Sequence, residues 1–335
     1  MTIDLLVSPH FSNFSVEAKR GPHNSGGGMS VFINAIRASL GHRYKVNLCT
    51  DMSELSAPIC LVESCFFITN IVNEEYNTGV ERKLKEMKDI KEAGTVVIYL
   101  CAEMSFIRLL PHQQDMLLEA ISAFAVTCPY LWDLLSTINV VPMGYLCDSI
   151  DPDLFRPSIK DLSIVAVGAL KHIKNVEFVF ETYKLLEGKI RRVYMGSAEL
   201  WGADKPIADK GLVEKVKACT EEYYANASSV DVAYHNAHAS FAVNDTWHDC
   251  SSRSNEELLM SGVISLYGNH PLFKGRPGFK VNTPEDVVDT ISDLTNDFTS
   301  LPDPSLYKAS RDWALKNVSK TVFVDEFDTL LRNFI

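Results

Sequence analysis

The stretch 23-HNSGGGMSVFINAIRASLGH-42 decides how the rest of the chain is read. Gly26, Gly27 and Gly28 stand directly before Met29, Phe32, Ile33, Ile36 and Leu40, which recur at helical spacing. A helix therefore opens at the glycines, and Gly41 is a plausible stop. Upstream, "IDLLVSP" (3–9) is short and continuously apolar, as a buried strand is. A strand, a glycine-rich turn and a helix leave unpaired N–H groups at a partly positive helix start. Small residues there let an anion approach closely. The pattern is not G-x-G-x-x-G, and no Walker lysine follows. The residues alone leave two readings open, a phosphate cradle or a tight turn.

Working outward, the strand–helix alternation continues. "YKVNLCT" (44–50), "APICLVES" (57–64), "TVVIYLCA" (95–102) and "ISAFAVTC" (121–128) read as further buried strands. The charged run "VERKLKEMKDIKEAG" (80–94) reads as a helix with a solvated face. The pattern then restarts with "LSIVAVGAL" (162–170), "RRVYMGS" (191–197), "HASFAVN" (238–244) and "GVISLYG" (262–268). Short apolar strands separated by helices predict parallel, doubly wound sheets. At 335 residues the chain suits two domains. The expected division is an N-terminal Rossmann-like domain over 1–147, a Pro- and Asp-rich linker over 148–160, and a second Rossmann-like domain over 161–318. A terminal helix over 319–335 is expected to return toward the first domain. Two such α/β halves facing a central cleft would hold a ligand at the carboxyl ends of their strands.

The net charge of −11 argues against a nonspecific nucleic-acid binder, though not against a local basic groove. No apolar run reaches the length of a membrane span, and "MTIDLLVSP" lacks the features of a signal peptide. Cys49, Cys60, Cys65, Cys101, Cys128, Cys147, Cys219 and Cys250 form no C-x-x-C pair and sit in apolar segments. They read as core filler in a reduced, cytoplasmic protein, with no metal site. His235, His238 and His248 do not have zinc-helix spacing and are read as non-metal.

Several residues carry candidate chemistry. Lys171 and Lys174 in "GALKHIKN" lie just past a strand end, where a diphosphate would need cations. Surface lysines at a helix start are the plainer alternative. In "HDCSSRSNEELLMSGVI", Ser251, Ser252, Ser254 and Asn255 are natural N-cap residues for a helix carrying Glu256 and Glu257. A glutamate one or two turns inside could bond both hydroxyls of a ribose, or serve only as an early-helix acid. The loop 8–24 is long and interleaves His10, Lys19, Arg20 and His23 with Phe11 and Phe14. Such a loop could grip a nucleic-acid backbone and a flipped base, or a glycan or lipid-linked acceptor.

These motifs, in this order, resemble the GT-B glycosyltransferases, specifically the large retaining group that uses nucleotide sugars. "SGGGMSVF" stands at that family's early glycine-rich loop, and "LGHRYKVNLCT" is similar to its G-H-x-V-x-V-x-T. "IDPDLFRP" (150–157) matches its I/V-D-x-x-x-F-x-P linker, and "GALKHIKN" its G-R-L-x-x-x-K-G. Asp249 and "ELLMSG" occupy its E-x7-E and A-M-A-x-G positions. The resemblance implies a transferase moving a hexose or pentose from a nucleotide diphosphate sugar, with a UDP-sugar as the family's habitual donor, no required cofactor and retention of anomeric configuration. It implies a diphosphate role for Lys174, aided by Lys171, by backbone groups of Gly27 and Gly28, and by the helix start near Ser252. It implies ribose binding by Glu257 and a sugar contact for Asp249. Three departures stand out: Ala169 in place of the family's arginine, Asp249 in place of its first glutamate, and Asn175 in place of a glycine.

A narrower resemblance is to the α-glucosyltransferases with which T-even-like phages modify hydroxymethylcytosine in DNA. "GTVVIYLCAEMSFIRLL" (94–110) and "DWALKNVSKTVFVDEFDTLL" (312–331) carry it. It implies a hydroxymethylated or already glycosylated base in double-stranded DNA as acceptor, held by His10, Lys19, Arg20, His23 and Arg108. Glu103, the acid at that strand end, would accept the acceptor's proton or bond the donor sugar. The alternatives are a GT-B enzyme acting on a glycan, lipid or small molecule, and a non-catalytic nucleotide-binding module. A Rossmann dehydrogenase is disfavoured, because the G-x-G-x-x-G and a clear acid after the second strand are missing.

Overall fold

The computed structural model describes residues 1–8, 28–68, 75–101, 106–127, 129–138, 141–168, 170, 174–196, 210–225, 227–245 and 253–334. The described chain forms two α/β units, residues 1–149 with 320–334, and residues 150–319. In the first, β1 (Thr2–Leu6), β2 (Lys45–Cys49), β3 (Ile59–Glu63), β4 (Val96–Cys101), β5 (Ala123–Val126) and β6 (Met143–Tyr145) form an all-parallel sheet in the order β2-β1-β3-β4-β5-β6. β3, β4 and β5 are almost wholly buried, which explains their continuous apolar sequences. Helix α1 (Gly28–Leu40) ends where Gly41 was expected to stop it, and Phe32, Ile33, Ile36 and Leu40 are buried. α2 (Tyr76–Glu92) keeps its charged face in solvent and buries Val80, Leu84 and Met87. Lys83 is buried too, because its ammonium donates to the Phe66 carbonyl at 2.8 Å and lies over the Phe66 ring. α3 (Pro111–Ala120) and α4 (Pro129–Ser136) complete the crossovers.

The terminal helix of this unit runs Lys320–Leu331 and packs on β6 and α1. Phe323, Phe327, Leu330 and Leu331 are buried, each contributing roughly 1.5–3 kcal/mol of hydrophobic stabilisation. Arg43 pairs with Asp325 at 2.9 Å and with Asp328, and Tyr44 packs edge-on against Phe327. Glu326 accepts the Cys147 N–H at 2.9 Å.

In the second unit, β7 (Asp161–Val167), β8 (Arg191–Gly196), β9 (Glu222–Ala225), β10 (Ala239–Asn244), β11 (Ile264–Tyr267) and β12 (Phe279–Lys280) run parallel in the order β12-β11-β10-β7-β8-β9. Counted within the unit this is the Rossmann order, with its reversal between β7 and β10. α5 (Val176–Leu185), α6 (Lys210–Cys219), α7 (Ser229–His238), α8 (Arg253–Met260), α9 (Pro284–Leu294) and α10 (Pro304–Asn317) flank it. Within residues 146–155, Leu146, Cys147, Ile150 and Phe155 are buried, and so are Asp148 and Ser149. Arg311 explains how this polar stretch is accommodated, since its guanidinium donates to the carbonyls of Pro152, Phe155 and Met260. Ile150 bridges to Ser319, so the two chain crossings lie side by side.

The six described cysteines, Cys49, Cys60, Cys65, Cys101, Cys147 and Cys219, are buried and unbridged. No described helix is long and apolar enough to cross a membrane.

Candidate functional site

A doubly wound sheet opens where its strand order reverses, because the flanking helices diverge to opposite faces there. In residues 150–319 that point lies beyond the carboxyl ends of β7 and β10, and a pocket partly open to solvent occupies it. Ala166, Val167 and Gly168 line it from β7, and Val243, Asn244 and Asp245 from β10. Tyr194 of β8 contributes, its hydroxyl reaching the Gly168 carbonyl at 3.4 Å, and burial pushes that hydroxyl's pKa far up, so it stays neutral. Val176 and Val179 of α5, Lys174 just before it, Ser254 of α8 and Phe273 complete the lining.

Lys174 supplies the positive charge and Asp245 the negative charge among the described lining residues. Asn244 is 9% exposed, and its side-chain Nδ2 has no hydrogen-bond partner among the described residues. A donor that has given up water without a protein partner is a strong place for a ligand oxygen. Asn175 adopts φ 42°, ψ 48°, the left-handed conformation that glycine or asparagine tolerates. Its side chain does not cap α5; it donates instead to Asp245 Oδ2 at 2.6 Å.

Behind the lining, Glu256 and Arg276 form a buried ion pair at 2.5 Å. Arg276 also donates to Asn255 Oδ1 at 3.1 Å and lies over the Trp313 ring, while Asn255 donates to Ser265. Glu257 is one residue further, so it points elsewhere on the helix and pairs with Arg253 at 2.9 Å. It lies one turn from Ser254, on the same face of α8. Glu256 is thus a structural acid, and Glu257 belongs to the helix face that reaches the cavity.

Of the residues singled out in the sequence, the structure brings Lys174 and Ser254 into the lining of one cavity; Glu257 lies one turn along α8 from Ser254 and is not part of that lining. Gly28 opens α1 in the other unit, and Arg108 lies exposed on a short 3-10 turn (Phe106–Arg108) there. Gly27, Glu103, Lys171, Asp249, Ser252, His10, Lys19, Arg20 and His23 lie outside the described residues, as do Ala169 and His248. His235 and His238 pack against Tyr234, and no described group of His, Cys, Asp and Glu has the makings of a metal site. The sequence reading missed Asn244 and Asp245. Their signal was available: a polar pair, "ND", directly ends an apolar strand, where an α/β sheet places ligand contacts.

Comparison with solved structures agrees with this geometry. A sucrose-phosphate synthase from Thermosynechococcus elongatus superposes over 99% of this chain and 99% of its own, with TM-score 0.74 and 11% identity. The chain has the GT-B fold. An avilamycin A biosynthesis glycosyltransferase matches this GT-B chain over 99%, and 97% of itself, with TM-score 0.61 and 10% identity. An Escherichia coli trehalose-6-phosphate protein described as bound with UDP-2-fluoro glucose matches over 98%, and 99% of itself, with TM-score 0.59 and 11% identity. No family model matches the sequence, and no curated protein matches it.

Proposed function

We propose that the protein is a glycosyltransferase that takes a sugar from a nucleotide diphosphate sugar, with a UDP-sugar as donor. The observation that carries the proposal is the cavity at the β7/β10 reversal, which joins a lysine, a buried amide with no partner among the described residues and a helix start. That the full-length neighbours include one bound with UDP-2-fluoro glucose supports the choice of donor.

In this reading Lys174 neutralises charge that builds on the departing diphosphate, aided by Lys171, Ser252 and the backbone of Gly27 and Gly28. Glu257, its carboxylate oriented by Arg253, holds the ribose. Asp249 contacts the sugar, and Glu103 receives the acceptor's proton or bonds the donor. Retention and a hexose or pentose as the transferred group rest on the sequence resemblance.

The acceptor has two readings. The phage-enzyme resemblance favours a hydroxymethylated base in DNA, contacted by the 8–24 loop and Arg108. The net charge of −11 and the full-length match to a sucrose-phosphate synthase favour a small or glycan hydroxyl instead. Incubation with a panel of nucleotide sugars and both acceptor types, followed by mass spectrometry, decides among them. A sugar-sized mass gain that vanishes in Lys174→Ala supports catalysis. Nucleotide binding with no turnover on any acceptor would instead make this a binding module. For DNA, affinity must fall steeply with salt as counterions are released; a flat salt response sinks the DNA reading.

A further inference from the structure

We propose that Asn175 and Asp245 act as a positioning pair that sets Lys174 toward the diphosphate of the donor, an inference that rests on the donor reading above. Asn175 directly follows Lys174, so whatever fixes Asn175 fixes the backbone from which the lysine reaches the cavity. Asn175 is fixed twice. Its backbone is left-handed, at φ 42°, and its amide donates to Asp245 Oδ2 at 2.6 Å. Asp245 is itself confined: a Cβ built on Gly268 would fall 2.1 Å from its Oδ1, so the carboxylate packs directly against the Gly268 backbone.

The arrangement also explains the departure at 175. Glycine would accept the left-handed backbone but offer no side chain to the β10 end. Asparagine accepts the backbone and ties it across the reversal point. A carboxylate beside a phosphate site would by itself repel the ligand. Bonded to Asn175, one of its oxygens instead fixes the backbone that carries Lys174, and the Asn175 side chain does not cap α5.

The test is isothermal titration of the full chain with UDP and UDP-glucose, and NMR titration with uridine. Asn175→Gly, which glycine's backbone freedom lets fold, and Asp245→Ala are each expected to weaken UDP binding about tenfold. Uridine binding should stay within twofold, because uridine lacks the diphosphate. Asp245→Asn keeps an acceptor oxygen and should bind UDP within threefold of wild type. The double variant Asn175→Gly/Asp245→Ala should be no weaker than the worse single. The pair is overturned if either single binds UDP within twofold of wild type, if uridine falls in step with UDP, if the single losses multiply in the double variant, or if Asp245→Asn binds UDP more tightly than wild type. If wild type binds neither UDP nor UDP-glucose, the donor reading falls and takes this inference with it; binding that the variants leave untouched overturns the pair alone.

Discussion

Glu256→Gln is expected to unfold the 150–319 unit at markedly lower temperature, although Glu256 touches no ligand in the proposed site. Its side chain is 2% exposed and that of Arg276 is 5% exposed, with nitrogen and oxygen 2.5 Å apart. Glutamine keeps the size and removes the charge. Arg276 then remains in the core without its counter-ion. Breaking one half of a buried pair costs about 3–5 kcal/mol. For a unit of this size, each kcal/mol moves the midpoint by about 2–4 °C, so the unit's transition should fall by roughly 6–20 °C. Asn255 and Trp313 still contact Arg276, which argues for the lower half of that range. Glu257→Gln serves as the control. Its pair with Arg253 is less buried, at 10% and 14% exposed, so breaking it should cost less than breaking the Glu256–Arg276 pair. Scanning calorimetry is the assay, because a chain of two units need not melt in one step. Glu256→Gln/Arg276→Met should recover most of the loss, since neither charge is left alone. A Glu256→Gln midpoint within 2 °C of wild type, or a larger fall in Glu257→Gln, would refute the division of roles between these neighbours.

Three further outcomes are expected. Burial holds the Lys160 amine down to about 7, so between pH 7 and 10.5 the folded chain binds fewer protons than the unfolded one and stability of the 150–319 unit rises with pH; Lys160→Met should flatten that rise in melting curves across the window. Burial pushes the Glu326 carboxyl up to about 7, so the folded chain binds more protons between pH 4.5 and 7 and the other unit loses stability as pH rises through that range. Glu326→Gln should therefore gain stability over wild type at pH 8 and not at pH 4.5 in denaturant titrations; an equal gain at both would refute the assignment. Gly144→Ala puts a Cβ 2.8 Å from Leu330 Cδ1 and should cost about 1–3 kcal/mol by overpacking, with a favourable coupling to Leu330→Ala in a double-mutant cycle.

The strands were legible where burial on both faces made the sequence continuously apolar, as in 59-ICLVE-63 and 96-VVIYLC-101. β9 and β12 were not, because edge strands such as Glu222–Ala225 and Phe279–Lys280 carry polar residues and too few positions to show a pattern. The linker shows the limit of composition. Two prolines and several acids read as a linker, and composition carries no sign that Arg311, 156 residues beyond Phe155, donates to its carbonyls. In the site, Lys174 was legible because position after a strand is a local property. The Asn175–Asp245 contact joins residues 70 apart, and no window of sequence contains both. The family resemblance singled out Glu257, but nothing local in the sequence showed the partners: the rotation of about 100° between neighbours on a helix sends Glu256 to Arg276 and Glu257 to Arg253.

The two sheets also differ at their points of reversal, and the difference bears on which unit takes the anion. In residues 1–149 the order reverses between β1 and β3. There Glu63, fully buried at the end of β3, accepts the Ser8 N–H at 3.4 Å with one oxygen and the Cys65 N–H at 2.5 Å with the other. In residues 150–319 the equivalent point presents the Lys174 ammonium and the Asn244 amide, with Asp245 tied to Asn175. A diphosphate held at the first would meet a buried carboxyl group whose oxygens accept from backbone N–H groups and offer the phosphate no donor of their own. Held at the second it meets donors and a cation. Among the described residues the two sheets thus place different groups at their reversal points, a buried carboxyl group at one and a lysine with an amide donor at the other, and the proposed sugar-nucleotide donor has a physical reason to choose the second. The uncharged hydroxyl of an acceptor has no such reason to avoid the first.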